Sequence, residues 1–508
     1  MKQQAHAANM LATAGSHYVR LAPASFVPHS SLFASTERSA QRRAALPSID
    51  LPEIPSMPKH LLSLSFSLGL AALTALPFTT AAQSPVLTAP IQSRIAAIEP
   101  KVVAWRRDIH EHPELGNREV RTAKLVADHL RSLGIEVKTG VAHTGVVGLL
   151  KGGKPGPVVL LRADMDGLPV TERVKLPFAS KAKSTYNGAE VGVMHACGHD
   201  THVAILMGVA EVLAGMKNEL PGTVKFVFQP AEEGPPQGEE GGAEMMIKEG
   251  VLTNPTVDAG FALHIGAGDL VNNIFYVPGG AYASADDYQI LVKGKQTHGG
   301  YPWNGTDPIV VSAHIITALQ TIVSRQMNLT ANASVVTVGK ITGGVRANII
   351  PEQVEMVGTI RALHPDDRKA LHEKIRRIAT NVAESMGATA EVTIGLTTKY
   401  PVTYNNADLV AAMVPVLQGV AGKDNVHQSR PETGAEDYSY IADRVPSFYI
   451  GLGGRPANVP KAEASDHHTP DFFIDDSGLG LGVKALTAMT LHYMRIYPTK
   501  APKASASR

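Results

Sequence analysis

The run Val158-Val159-Leu160-Leu161-Arg162-Ala163-Asp164-Met165-Asp166-Gly167-Leu168-Pro169 decides the fold. Its first four residues are all apolar, and a short apolar run of this kind reads as a strand buried on both faces, the type found in parallel sheets covered by helices. The strand ends in two aspartates. Ligand sites in open α/β sheets collect beyond the carboxyl ends of the strands. Working outward, Val146–Leu150, Val224–Phe228, Ala259–Leu263 and Ser447–Leu452 are further short apolar runs between helical stretches. Val224–Phe228 delivers Gln229-Pro230-Ala231-Glu232-Glu233-Gly234, Ala259–Leu263 delivers His264, and Ser447–Leu452 precedes a Gly/Pro/Asn-rich loop and Asp466-His467-His468-Thr469-Pro470-Asp471-Phe472. Acids and histidines at four strand ends or post-strand loops point to one convergent site.

Upstream, residues 91–133 read as a helix broken by Pro and Gly at His112-Pro113-Glu114-Leu115-Gly116 and resumed near Glu119. His110 and His112 stand at i, i+2, which does not place them on one helical face, and they are read as structural. The stretch Met194-His195-Ala196-Cys197-Gly198-His199-Asp200-Thr201-His202 holds the chain's single cysteine. A thiolate and an imidazole two positions apart across a glycine can point at one ion as soft-to-borderline ligands. By itself, such a C-x-H is more often a buried cysteine beside polar helix-start residues. Asp200 is expected to cap a helix over Thr201–Met216 with Val203, Leu206, Met207 and Ala210 on its buried side. His195 and His202 are expected to support the site without carrying its chemistry.

From Tyr288 to Thr397 the rhythm changes to strand, helix (Asp307–Arg325), strand (Ser334–Ile341), strand (Gln353–Arg361), helix (Pro365–Met386) and strand (Thr389–Leu396). This βαββαβ order is the ferredoxin-like unit. The fold class expected is therefore α/β. A catalytic domain with a mostly parallel sheet flanked by helices (residues 91–287 and 398–497) accepts an inserted ferredoxin-like lid or dimerisation domain at residues 288–397. A tail, 498–508, follows.

Of 508 residues, 47 are Lys or Arg and 46 are Asp or Glu, so no global field favours nucleic acid or an anionic membrane. Residues 1–56 lack apolar periodicity and read as an upstream extension, with translation starting at Met57. Residues 57–82 join Lys59 and His60 to the apolar run 61–78 and to small residues at Ala81-Ala82, an export signal. An uncleaved anchor or an organelle transit peptide would share parts of that pattern. A periplasmic or secreted location is expected, with no stable membrane anchor after cleavage. There, a lone cysteine is either buried or bound.

IHEHPELGNRE, LRADMDGLP, HACGHDTH, FQPAEEG, HGGYP, RANIIP, GAEDYS and HHTPDF, in this order, resemble the metal-dependent amidohydrolases that include hippurate hydrolase, bacterial aminoacylases and plant auxin-amino-acid conjugate hydrolases. The resemblance runs from about Ile91 to Tyr497. It implies two divalent metal ions per subunit, zinc or else manganese, cobalt or nickel, with Cys197, His199, Glu233, His264 and His468 as ligands and Cys197 bridging. His467 directly precedes His468, so that last ligand is open by one residue, although His-Thr-Pro at 468–470 fits the family pattern better. Glu232 matches the general base, which would take a proton from a metal-activated water whose pKa falls to about 7. His298 matches a histidine that polarises the substrate carbonyl, often from a dimer partner, and Asn348, beside Arg346, a substrate-contacting position. Asp164 and Asp166 are expected to orient ligand histidines by accepting their other ring proton, and Glu436 with Asp437 to act in the same way. Gly167 stands where many members have Ala, and Gln296-Thr297 replaces a glycine-rich approach to His298.

The implied activity is cleavage of the amide bond of N-acyl or N-aroyl amino acids, hippurate-like and extending to ochratoxin-like aromatic amides. The expected partners are such small amides and a second copy of the chain in a homodimer or larger homo-oligomer. Two alternatives are a cysteine-nucleophile hydrolase using Cys197 and a binding protein that keeps the fold without turnover.

Overall fold

The computed structural model describes residues 87–497, so the expected extension 1–56, export segment 57–82 and tail 498–508 lie outside the described residues. Helices α1 (Ala89–Glu111) and α2 (Val120–Ser132) lead into strands β1 (Glu136–Val141), β2 (Gly145–Lys151) and β3 (Lys154–Asp164), and helix α3 spans His199–Ala214. The break between α1 and α2 falls where Pro113 and Gly116 place it. The Glu114 carboxylate accepts from Arg121 N and Thr122 N at 2.8 and 2.9 Å, which gives α2 its N-terminal cap.

Strand β3 lies inside an eight-stranded sheet whose order is β1, β2, Pro221–Gln229, β3, Ala259–Leu270, Ser447–Arg455, Ile274–Tyr276 and Val426–Gln428. The four central strands, from Pro221–Gln229 to Ser447–Arg455, run parallel, and antiparallel pairs flank them. Val159, Leu161 and Ala163 pack with Phe226 and Phe228 against the α1, α3 and Leu479–Ile496 side, while Leu160 and Val227 face Met246, Tyr438 and Tyr449 on the other. Burial on both faces is why these strands read as unbroken apolar runs rather than alternating ones. Strand Ala259–Leu270 runs seven residues beyond the expected end, so His264 sits inside it, opposite Gly451 of the neighbouring strand.

The insert is bounded by Ala285 and Tyr400, three residues outside the expected limits at each end. Its strands order as Ser334–Gly343, Gln353–Ala362, Ala285–Lys293 and Thr389–Tyr400, all antiparallel, which is the ferredoxin-like arrangement. Tyr288, Ile290 and Val292 repeat every second residue. Val311, Ile315 and Leu319 from helix Pro308–Thr321 and Leu371, Ile375 and Ala379 from helix Pro365–Ser385 repeat every fourth, and all meet in one core separate from that of the larger sheet.

Asp200 departs from expectation. Helix α3 starts at His199 with Gly198 at its N-cap and no side-chain cap, and α3 is buried on all sides as far as Leu213 apart from Glu211. The Asp200 carboxylate, fully buried, is turned instead to Arg106 Nε at 2.8 Å and His110 Nδ1 at 2.8 Å, both on α1. A buried guanidinium competes better for that carboxylate than a cap would, because Arg106 has no water to turn to. The same contacts make His110 structural, as expected, with its Nε2 3.3 Å from Glu172, while His112 is exposed.

Asp200→Asn is expected to lower stability by about 2 to 3 kcal/mol at neutral pH, because it takes from buried Arg106 one of its two carboxylate partners and leaves it only Asp476, 3.0 Å from Nη1. Its partners Arg106 and His110 hold the Asp200 carboxyl well below the usual carboxylate range, against the pull of burial. The stabilisation is therefore complete above the unfolded pKa of about 4 and lost as pH falls through the acid range, so the gap between wild type and variant narrows below about pH 4. Chemical denaturation at a series of pH values reads both effects.

Candidate metal centre

The loop Met194–Gly198 brings Cys197 to the carboxyl ends of the central strands. Gly198 is required there. Its φ is +91°, and a Cβ would stand 2.2 Å from Ile265 Cγ2. Around Cys197 Sγ lie His264 Nε2 at 3.4 Å, His468 Nε2 at 3.3 Å and His467 Nδ1 at 3.6 Å. His468 Nε2 is also 2.9 Å from Glu233 Oε1. Donor atoms of Cys197, His199 and Glu233 lie within 4.8 Å of one another, as do those of Cys197, His264 and His467, so the thiol belongs to two donor sets at once.

His199 tests whether a metal fits. Its Nδ1 is 2.9 Å from the Asp166 carbonyl, and its Nε2 is buried with no hydrogen-bond partner among the described residues. A buried ring nitrogen without a partner costs free energy. This one belongs to the same donor set as Cys197 and Glu233, and the thiolate, imidazole and carboxylate set is one that zinc and its neighbours accept.

Two other histidines are excluded as ligands by the sheet's own N–H groups. Ile265 N donates to His202 Nε2 at 2.8 Å, so the neutral ring carries its proton on Nδ1, which donates to Asp164 Oδ1 at 2.6 Å. His202 has no nitrogen left, although it clusters with Asp164 and His199. In the same way Ala267 N donates to His467 Nε2 at 3.1 Å, which leaves His467 Nδ1–H facing the Cys197 sulfur. His468 has no such backbone donor on Nε2. The geometry thus favours His468 over His467 as the last ligand. His195 is buried beside His110, with neither ring nitrogen hydrogen-bonded among the described residues.

Glu232 is buried, its Oε2 3.7 Å from His199 Nε2, and a carboxylate oxygen of each of Asp164, Glu232 and Glu436 fits within 4.8 Å. Burial, reinforced by Glu436, Glu233 and Asp437, holds the Glu232 carboxyl well above its usual range. Asp166 serves two groups, taking His199 on its carbonyl and Glu233 N on Oδ2 at 3.0 Å. Three expectations need correction. Asp164 orients His202 rather than a ligand, Glu436 accepts from Arg162, Tyr438 N and Tyr449 OH, and Asp437 accepts from Arg162, Gln229 and Ala243 N, so neither member of the 436–437 pair hydrogen-bonds a histidine among the described residues.

What binds those acids is Arg162, which sequence reasoning missed. Fully buried, it donates to Gln229, Asp164, Glu436 and Asp437 at 2.9, 2.5, 2.9 and 3.0 Å. A signal was there: Leu160, Arg162 and Asp164 share one face of a strand buried on both faces, and a charge in such a strand must be paired.

His298, Asn348 and Arg346 lie together on the insert. His298 pairs with Ile349 in a two-stranded ribbon, Gly299 N donates to the Asn348 carbonyl at 2.9 Å, and Gly300 N donates to His298 Nδ1 at 2.9 Å. All three residues are exposed, and none makes a hydrogen bond or ion pair with the Cys197 cluster among the described residues.

Residues 160–492 match the family model described as Peptidase family M20/M25/M40. The chain is 38% identical over 409 residues to thermostable carboxypeptidase 1 of Saccharolobus solfataricus, covering 80% of this chain and 99% of that one. It is 34% identical over 458 residues to the IAA-amino acid hydrolase ILR1-like 2 of Arabidopsis thaliana, covering 88% and 98%. Among solved structures, a dinuclear metal binding peptidase of the M20 family from Bacillus subtilis superposes with a TM-score of 0.64 at 32% identity, over 79% of this chain and 99% of that one. With its motifs, fold and donor cluster all concordant, the chain belongs to peptidase family M20/M25/M40 and is a metal-dependent hydrolase of that family.

Proposed function

We propose that this hydrolase cleaves the amide bond of N-acyl or N-aroyl amino acids, hippurate-like amides and larger aromatic ones of the ochratoxin kind included, with two divalent ions held by Cys197, His199, Glu233, His264 and His468. One observation carries this reading: the Cys197 sulfur shares a donor set with His199 and Glu233 and stands 3.3 Å from His468 Nε2 and 3.4 Å from His264 Nε2, with the buried Glu232 carboxyl 3.7 Å from His199. The ions supply Lewis acidity that polarises the amide carbonyl and acidifies a water. Glu232 takes one proton of a water as its oxygen adds to the carbonyl carbon and gives it to the amide nitrogen as the C–N bond breaks; the second proton of the water passes to the released amine, leaving a carboxylate and an ammonium group. A carboxyl held above its usual range by burial keeps the proton between these steps, which suits that double role. The names of the carboxypeptidase and IAA-amino acid hydrolase relatives support an amino acid on one side of the scissile bond.

Assembly and export belong to the same proposal. Helix Pro308–Thr321 leaves Ile309 and Val310 exposed, and strand Ser334–Gly343 is a sheet edge with Val335 and Ile341 exposed. An unpaired edge beside an apolar helix face is what a second copy would cover. In such a homodimer the partner's insert would offer His298, Asn348 and Arg346 to the site. Residues 57–82 would direct the chain to the periplasm or medium.

Glu232→Gln is expected to lower kcat by about 10² to 10⁴-fold while two equivalents of zinc are retained; elemental analysis alongside kinetics reads both. Exhaustive chelation is expected to abolish turnover of hippurate, N-acetyl amino acids, auxin conjugates and an aroyl-phenylalanine, and metal add-back to restore it. Activity that survives complete metal removal would overturn the metal mechanism and leave the Cys197 nucleophile as the reading to test.

A further inference from the structure

The Pro/Gly break between α1 and α2 has no part in the chemistry above, yet it lies against the turn that carries the two glutamates. Gly116 is so close to that turn that a Cβ would stand 3.1 Å from Ala231 Cβ and 3.2 Å from the Gly234 carbonyl. The Leu115–Gly116 step also bridges to the segment after Asp166, with Gly167 N donating to the Glu114 carbonyl at 2.7 Å.

Glu119, at the N-cap of α2, is fully buried and its side chain makes no cap hydrogen bond. Glu114 already fills that role. The Glu119 carboxyl reaches out of its own helix instead. Its Oε1 accepts from Ala231 N at 2.9 Å, and its Oε2 takes the Thr144 hydroxyl. Ala231 has a φ of +50°, a left-handed conformation that a residue with a Cβ rarely adopts unless its surroundings impose it. Glu233 N, two residues on, is held separately by Asp166 Oδ2. The turn is thus pinned on either side of Glu232 by two different carboxyl groups.

We infer that Glu119 is a positioning residue: its hydrogen bond to Ala231 N holds the left-handed step that aims the Glu232 carboxyl into the metal centre, while Asp166 independently holds the ligand Glu233. This rests on Glu232 being the base. The division of labour makes the inference separable from a merely structural role. Loss of Glu119 should misplace the base and leave the ligand set intact. Burial beside Asp166 pushes the Glu119 carboxyl up to about 8, so a neutral group of the same shape suits the site. Glutamine is such a group, accepting from Ala231 N with its oxygen and facing the Thr144 hydroxyl with its NH₂.

The experiment compares Glu119→Ala, Glu119→Gln, Thr144→Val and Glu232→Gln as purified zinc holoenzymes, on whichever amide of the panel wild type turns over fastest. Glu119→Ala is expected to lower kcat about tenfold to a hundredfold, the scale of a misplaced catalytic group. KM and the zinc content stay within about twofold of wild type, the pattern of an interaction that acts on the chemical step alone. Glu119→Gln restores most of the rate, and Thr144→Val shows a smaller fall in kcat with zinc retained. Glu119→Ala at wild-type kcat beside an inactive Glu232→Gln would overturn the inference. So would zinc lost in parallel with kcat, or Glu119→Gln no better than Glu119→Ala. If Glu119→Ala does not fold, Thr144→Val at wild-type kcat overturns it. A fully active Glu232→Gln would overturn the base assignment itself, and the inference with it.

Discussion

Arg162 is the constraint from which the rest of the centre follows. A guanidinium with no access to water must have all its charge met by protein, and removing one partner of such a pair costs about 3 to 5 kcal/mol. Its acceptors come from three distant parts of the chain: Asp164 at the end of its own strand, Gln229 at the end of the next, and Glu436 with Asp437 from the segment after the insert. The arginine therefore ties the second part of the catalytic domain to the first, directly beneath the site. It also makes a cluster of buried acids tolerable. Without that charge, Asp164, Glu436 and Asp437 would stand unneutralised beside Glu232.

Much of this was legible in the sequence, for reasons that can be named. The two sheets and their separate cores were, because a strand buried on both faces gives an unbroken apolar run while the insert's half-buried helices give a fourfold repeat. Residues clustered around Cys197 were, because sheet topology sends the ends of parallel strands to one edge. The roles of the supporting polar residues were not. Whether Asp200 caps α3 or pairs with Arg106 depends on which groups are shut away from water, and Arg106 lies 94 residues away. Glu436 looked like a partner for histidine and is one for arginine and tyrosine. Glu114 and Glu119 sit five residues apart in the same connection, and only their surroundings make one a helix cap and the other a support for a distant turn.

The strand Ala259–Leu270 shows how backbone can decide side-chain chemistry. The sequence suggested an end at Leu263, since His264 and the glycines after it interrupt the apolar run. In the structure the strand continues, and its extension acts at three positions. His264 points to the Cys197 sulfur, Ile265 N donates to His202, and Ala267 N donates to His467. Each donated N–H fixes a tautomer, because a neutral imidazole that accepts on one nitrogen must carry its proton on the other. His202 is thereby committed to Asp164, and His467 to donating toward the thiol. Of His199, His202, His264, His467 and His468, the first, third and last are those whose Nε2 accepts no backbone N–H among the described residues. One strand, by running past the residue at which its pattern breaks, separates the histidines that can take a metal from those that hold the site in shape.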